Sequence, residues 1–205
     1  MVKALIDYLN APGVVPLQRV VDNFDGDSLN ERWTFNDISG TNSGAMADAI
    51  DEGYAITTGT GSFDSASIDF NQISHYSQIS SIVEAVVFNE ATTNNELTVG
   101  LSEQSQLDNN YALYHNSSTL TNLALTTKDA TTATSTESSI AIDTNQHHPR
   151  LELRASSSLL SIDSVLEILK TDRLPTVALQ PIFGERSRTT SAQIGHITYL
   201  EAYNT

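Results

Sequence analysis

Cysteine is absent from the 205 residues. Its absence removes disulfides, thiolate catalysis and cysteine-bound zinc together. Positive charge is scarce: ten Lys+Arg stand against 25 Asp+Glu, for a formal charge of −15 at pH 7. Nucleic-acid binding is therefore not expected, because phosphate contacts need clustered cations. An anionic membrane surface is disfavoured for the same reason. No apolar run approaches the roughly 20 residues of a spanning helix, so membrane insertion is not expected either. Glycine-rich phosphate fingerprints are missing, and Gly59-Thr60-Gly61 reads only as a turn. What remains is a 39 % hydrophobic chain, enough for a core. Its surplus of Asp and Glu, with Lys3, Lys128 and Lys170 as the only lysines, resembles proteins of salt-rich environments. Carboxylates hold water and ions at a surface, and their repulsion is screened as the Debye length shrinks to about 3 Å at 1 M salt.

The chain divides in two: residues 1–19 and residues 20–205. In the first part Val2, Leu5, Ile6 and Leu9 recur at helical spacing until Ala11-Pro12-Gly13 breaks the pattern. A short helical arm is expected there, folded back on its own domain or docked on a neighbouring subunit. Asp7 interrupts the apolar stretch, so a secretory leader is not expected. From Val20 onward the period is two. Val83, Ala85 and Val87 define one face of a strand, and Leu151 and Leu153 alternate with Arg150, Glu152 and Arg154. Short strands between Asn, Gly, Ser and Asp clusters imply an antiparallel sandwich or barrel. Ser161–Lys170 reads either as a helix or as two strands around Asp163-Ser164. Thr126–Ser139 reads as an exposed hairpin or mobile loop, and Asn36–Asp51 as a loop.

The opening Asp22-Asn23-Phe24-Asp25-Gly26-Asp27-Ser28-Leu29-Asn30-Glu31-Arg32-Trp33-Thr34 resembles the start of concanavalin A-like lectin/glucanase (laminin-G-like) domains. The resemblance implies an all-β, two-sheet antiparallel jelly-roll sandwich, with the last strand, Ile194–Tyr203, beside the first. On activity it implies little, since such folds serve lectins, glycoside hydrolases and structural domains of virus particles. Within the opening, Asp25 and Asp27 read as turn caps or, alternatively, as calcium ligands, while Leu29 and Trp33 return to the core.

Hydrolases similar to this fold place their carboxylates on one strand as Glu-x-Asp-x-x-Glu or a close variant. This sequence has no such run: Glu84 lacks an acidic neighbour two or four residues away, and Glu152 is flanked by arginines on its own face. Enzymatic activity is therefore not expected. His147-His148-Pro149 reads as a surface loop, since adjacent extended residues point to opposite faces. The best ligand-binding cluster is Tyr111, Tyr114, His115 and Asn116, although a regular strand would put Tyr111 and Tyr114 on opposite faces.

Together these readings favour a non-enzymatic structural or adhesion module of a multi-subunit surface. Its most concrete form is a virion protein (capsid decoration, turret or tail) that binds glycan, homo-oligomeric through residues 1–19, at a virion or cell surface in salt. The alternatives are a free-standing lectin-like protein and, behind it, a glycoside hydrolase. No cofactor is implied beyond calcium at Asp25 and Asp27. The charge makes a direct prediction: the melting temperature rises as NaCl is raised from 0.1 to about 2 M. Thermal denaturation across that series checks it, and a falling midpoint would remove the salt-adapted reading.

Overall fold

The computed structural model describes residues 19–47, 53–70, 76–103 and 110–205. Fifteen strands occur among them: β1 (Arg19–Asp22), β2 (Trp33–Ser39), β3 (Ser43–Met46), β4 (Tyr54–Thr57), β5 (Ser65–Phe70), β6 (Ser80–Asn89), β7 (Asn95–Ser102), β8 (Asn110–Ser117), β9 (Asn122–Asp129), β10 (Ala133–Ala141), β11 (Pro149–Arg154), β12 (Ser157–Ile162), β13 (Val165–Lys170), β14 (Gln180–Ser187) and β15 (Ile194–Asn204). They form two antiparallel sheets. One has eight strands, in the order β13-β12-β11-β6-β15-β4-β3, with β1 also paired to β15; the other runs β10-β9-β8-β7-β14-β5-β2. The final strand does lie beside the first, with Arg19 opposite Tyr203 and Asp22 opposite Leu200.

The core is the space between the sheets. Val83, Ala85 and Val87 of β6 and Leu151 and Leu153 of β11 enter it from one side; Leu97, Val99 and Leu101 of β7 and Phe183 of β14 enter from the other. Two irregularities interrupt the period of two. A bulge between Ile197 and Tyr199 lets both Ile197 and Leu200 face inward. Another, between Leu160 and Ser161 on the β12–β13 pair, leaves Ile168 buried while Leu166 and Leu169 are exposed.

The expected N-terminal helical arm is not supported. No helix occurs among the described residues, and Arg19, assigned above to the arm, opens β1 with an ion pair to Glu201. Val20 buries its side chain by adding to the edge of β15, a route that needs no isolated helical turn. Residues 1–18 lie outside the described residues.

Other local readings resolve clearly. Ser161–Lys170 is two strands joined by Asp163 and Ser164, both in the left-handed region (φ 52° and 71°), as a two-residue hairpin turn requires. Thr126–Ser139 is the β9–β10 hairpin. The expected loop Asn36–Asp51 contains the end of β2 and the whole of β3. There Gly44 is required, because a Cβ would stand 2.0 Å from the Tyr54 hydroxyl. His147 is not a surface residue. Its side chain is 7 % exposed, Nδ1 lies 2.8 Å from Asp163 and Nε2 lies 3.0 Å from Asp143, tying the 142–148 loop to the β12–β13 turn.

In the opening segment the bracing carboxylate is Asp22. One oxygen accepts the Phe24 N–H at 2.9 Å and the other the Trp33 indole N–H at 2.8 Å. That seats Trp33 among Phe24 and Phe70, with ring centroids at 5.6 and 5.5 Å.

Two measurements follow. Asp22→Ala strands a buried indole N–H, at a cost of about 1–3 kcal/mol, and lowers the melting temperature by roughly 3–10 °C; fluorescence of the single tryptophan reads it directly. At Asp163, burial opposes ionisation, but the His148 backbone N–H and the His147 ring outweigh it and hold the carboxyl below the ordinary range. A depressed carboxylate contributes its stability in full above that range and loses it as the pH falls through it. Between pH 6 and pH 3 the wild type should therefore lose more stability than Asp163→Asn. Equal losses would assign acid sensitivity to other groups.

Candidate functional site

One residue out of phase with the core, the seven-stranded sheet presents a second set of side chains outward. On β5 these are Ser65, Ser67 and Asp69; on β14, Ile182, Gly184 and Arg186; on β7, Glu96 and Thr98; on β8, Tyr111 and His115. Register places Ser67, Gly184, Thr98 and His115 in one row across four strands. Small side chains in that row leave a groove of about 490 Å³, which Phe63 and Tyr111 also line.

Glu96 organises the groove wall. His115 Nε2 lies 3.0 Å from its Oε1, Arg188 pairs with its Oε2, and Arg186 approaches to 3.8 Å. The other ring nitrogen of His115 meets Thr126 Oγ1 at 3.0 Å. Both guanidinium groups lie over the Phe63 ring, Arg186 at 4.8 Å and Arg188 at 5.8 Å, and Lys128 lies 5.8 Å from the Tyr111 centroid. Burial alone would raise the Glu96 carboxyl. The hydrogen bond and charge of His115 and the charges of Arg188 and Arg186 outweigh it and hold Glu96 below the ordinary glutamate range. Burial pushes Tyr111 up, and the Glu96 charge adds to that.

Asp69 is another carboxylate of this face, as is Glu137 of β10, in register with His115. Burial pushes Asp69 up to about 6, against a hydrogen bond from Gln180 at 3.1 Å. Asp69 and Glu96 do not form a catalytic pair. Asp69 aligns with Ile182 and Gly100, and Glu96 with Arg186. Two strand spacings and four residues therefore separate them, about 16 Å between Cα atoms. Glycoside hydrolysis needs carboxyl groups about 5–5.5 Å apart for retention or about 6.5–9.5 Å for inversion.

The four residues expected as a ligand cluster divide between two faces. Tyr111 lines the groove, and His115 lies on the same face behind it, bonded to Glu96. Tyr114 is a core residue whose phenol is pushed up by burial, and Asn116 points into the sandwich beside it. Asp25 and Asp27 are both exposed on the β1–β2 connection. Among the described residues no group of three His, Cys, Asp or Glu is placed to share an ion. Glu152, read as a surface ion-pair member, meets Arg150 at 3.0 Å and Arg154 at 2.6 Å on the opposite sheet. Phe63, Glu96, Arg186 and Arg188 were not singled out from the sequence. They meet only because β14 inserts between β5 and β7.

No protein-family model matches the chain, and no curated protein matches it in sequence. Solved structures do. The apo Crh5 transglycosylase aligns at 12 % identity and a TM-score of 0.66, over 91 % of this chain and 84 % of that one. The Emp47p carbohydrate recognition domain aligns at 12 % identity and 0.62, over 92 % and 96 %. The β-glucanase of Bacillus licheniformis aligns at 9 % identity and 0.63, over 91 % and 98 %. At these identities the likeness is one of architecture, and it agrees with the strand order and the layered core: the chain has the concanavalin A-like lectin/glucanase fold.

Proposed function

We propose that the protein is a non-enzymatic glycan-binding module whose ligand lies in the groove on the outer face of the seven-stranded sheet. One observation carries the reading: a floor of Ser67, Gly184 and Thr98 beside aromatic Phe63 and Tyr111, with the half-exposed Arg186 available for hydroxyl groups. Sugar rings offer an apolar face and a rim of hydroxyls, and concave sites combine apolar surface with a few fixed polar groups. The known proteins of this architecture support the reading by their names, which include carbohydrate recognition domains as well as hydrolases and transglycosylases. The wide separation of Asp69 and Glu96, and the clasp of cations on Glu96, favour binding over hydrolysis.

A second reading concerns where the module sits. Edge strand β13 hydrogen-bonds only to β12 within its sheet and exposes Val165, Leu166 and Leu169 at 57, 58 and 61 %. Antiparallel pairing with a second copy, centred between Glu167 and Ile168, would set Leu166 beside the other copy's Leu169. Such a contact favours self-assembly on a multi-subunit surface, of which a virion in a salt-rich habitat is the concrete case.

A glycan array read in molar salt tests the first proposal. Binding is expected, and Phe63→Ala or Tyr111→Ala should weaken it about tenfold or more at unchanged melting temperature. An array without hits would overturn it. Hydrolysis of a bound oligosaccharide would overturn the non-enzymatic part alone. Sedimentation at 2 M NaCl tests the second: the wild type should self-associate and Leu166→Lys/Leu169→Lys should be monomeric, whereas a monomeric wild type removes the idea.

A further inference from the structure

At the end of the sandwich near the β6–β7 connection, polar side chains enter the dry interior. β14 sends in Glu185, and β6, β7 and β8 send in Asn89, Asn95 and Asn116; each residue is 1 % exposed. Register holds them together. Glu185 aligns with Leu97, Leu97 with Asn116 and Ser187 with Asn95. Across the interior, Gly195 aligns with Asn89 and lies so close to Glu185 that a Cβ there would stand 2.5 Å from Oε2.

Neither carboxylate oxygen of Glu185 has a hydrogen-bond partner. Nor have the side-chain oxygens of the three asparagines, nor the Nδ2 groups of Asn89 and Asn95. The Glu96 backbone lies near the Glu185 carboxylate and offsets a little of its burial, without meeting hydrogen-bond geometry. A wholly buried, unpaired carboxylate is among the least favourable arrangements in a protein interior. Buried amides of native proteins are normally satisfied, and here the orphans come from four strands at one end of the core, with Leu97 between Glu185 and Asn116.

We propose that Glu185, Asn89, Asn95 and Asn116 form an internal site for a single alkali cation, Na⁺ or K⁺. The donors are all hard oxygens, a carboxylate and amide carbonyls, which suit a hard cation. Charge selects the valence. One carboxylate faces the space, so a monovalent ion leaves the interior neutral, whereas a divalent ion would leave a buried positive charge. Glu96 cannot supply a second carboxylate, because it points to the opposite face and is held there by His115 and Arg188. Gly195 leaves the room that the carboxylate occupies, which any side chain would take.

The site separates two kinds of salt effect. Screening of the acidic surface depends on ionic strength and ignores which cation supplies it. A coordinated ion is chosen by size and by its shed water. Melting temperatures of the full chain, measured in NaCl, KCl and choline chloride at equal ionic strength, make the distinction. The alkali salts should stand about 5–10 °C above choline at cation concentrations near a hundred times the dissociation constant, and Glu185→Gln should abolish the difference. Equal midpoints in all three salts, or cation preference retained in Glu185→Gln, would overturn the proposal. Should Glu185→Gln fail to fold, crystals of the wild type grown with Tl⁺ decide it. An anomalous peak between Glu185 and the asparagine oxygens supports the site, and a water or an empty space there overturns it.

Discussion

Each strand of a two-layer sandwich has one dry face and one wet face, and adjacent residues alternate between them. That constraint organises the whole molecule. Apolar residues at alternate positions of β6, β7, β11 and β14 close the interior, and their sequence neighbours must then carry whatever the protein does outside it. The groove, the Arg–Glu ladder on the opposite sheet and the polar group at one end of the core are all consequences of phase: a shift of one residue exchanges a core role for a surface one.

Phase was legible wherever it was kept. The Val83-Ala85-Val87 face, the Leu151-Leu153 face and the pairing of the last strand beside the first all follow from alternation and from the opening segment. It was illegible where the backbone departs from the period. The bulges in β15 and at β12–β13 change which side chain is buried, and nothing in the local composition announces them. β3 was missed because Ser43-Gly44-Ala45-Met46 has little strand propensity of its own; it is a strand because β4 pairs with it and Tyr54 lies over Gly44. The helical stripe in residues 1–18 falls on residues that the structure does not describe, while the residue that follows them joins a sheet edge.

The candidate site was half legible for a related reason. Tyr111 and His115 lie on one strand and could be read as neighbours two pairs apart. Their partners come from elsewhere: Glu96 from β7, Arg186 and Arg188 from β14, Phe63 from the turn before β5. Close to 90 residues separate Glu96 from the arginines that clasp it, so only the crossover order of the sheet brings them together. The same order also sets Asp69 and Glu96 apart. Asp69 is pushed up to about 6 by burial, and its strand position sets it far from Glu96.

Glu96 and Glu185 differ through phase alone. They sit on hydrogen-bonded strands, with Glu185 aligned to Leu97, the residue next to Glu96. Their sequences give no hint of different treatment. Phase turns Glu96 outward, where His115, Arg186 and Arg188 gather around it and hold its carboxyl below the ordinary range. It turns Glu185 inward, where no basic side chain follows and burial drives its carboxyl far upward. The first has its counter-charge built into the chain. The second must obtain one from solution, as a proton or, in the site proposed above, as an ion; an asparagine oxygen accepts from the first and ligates the second.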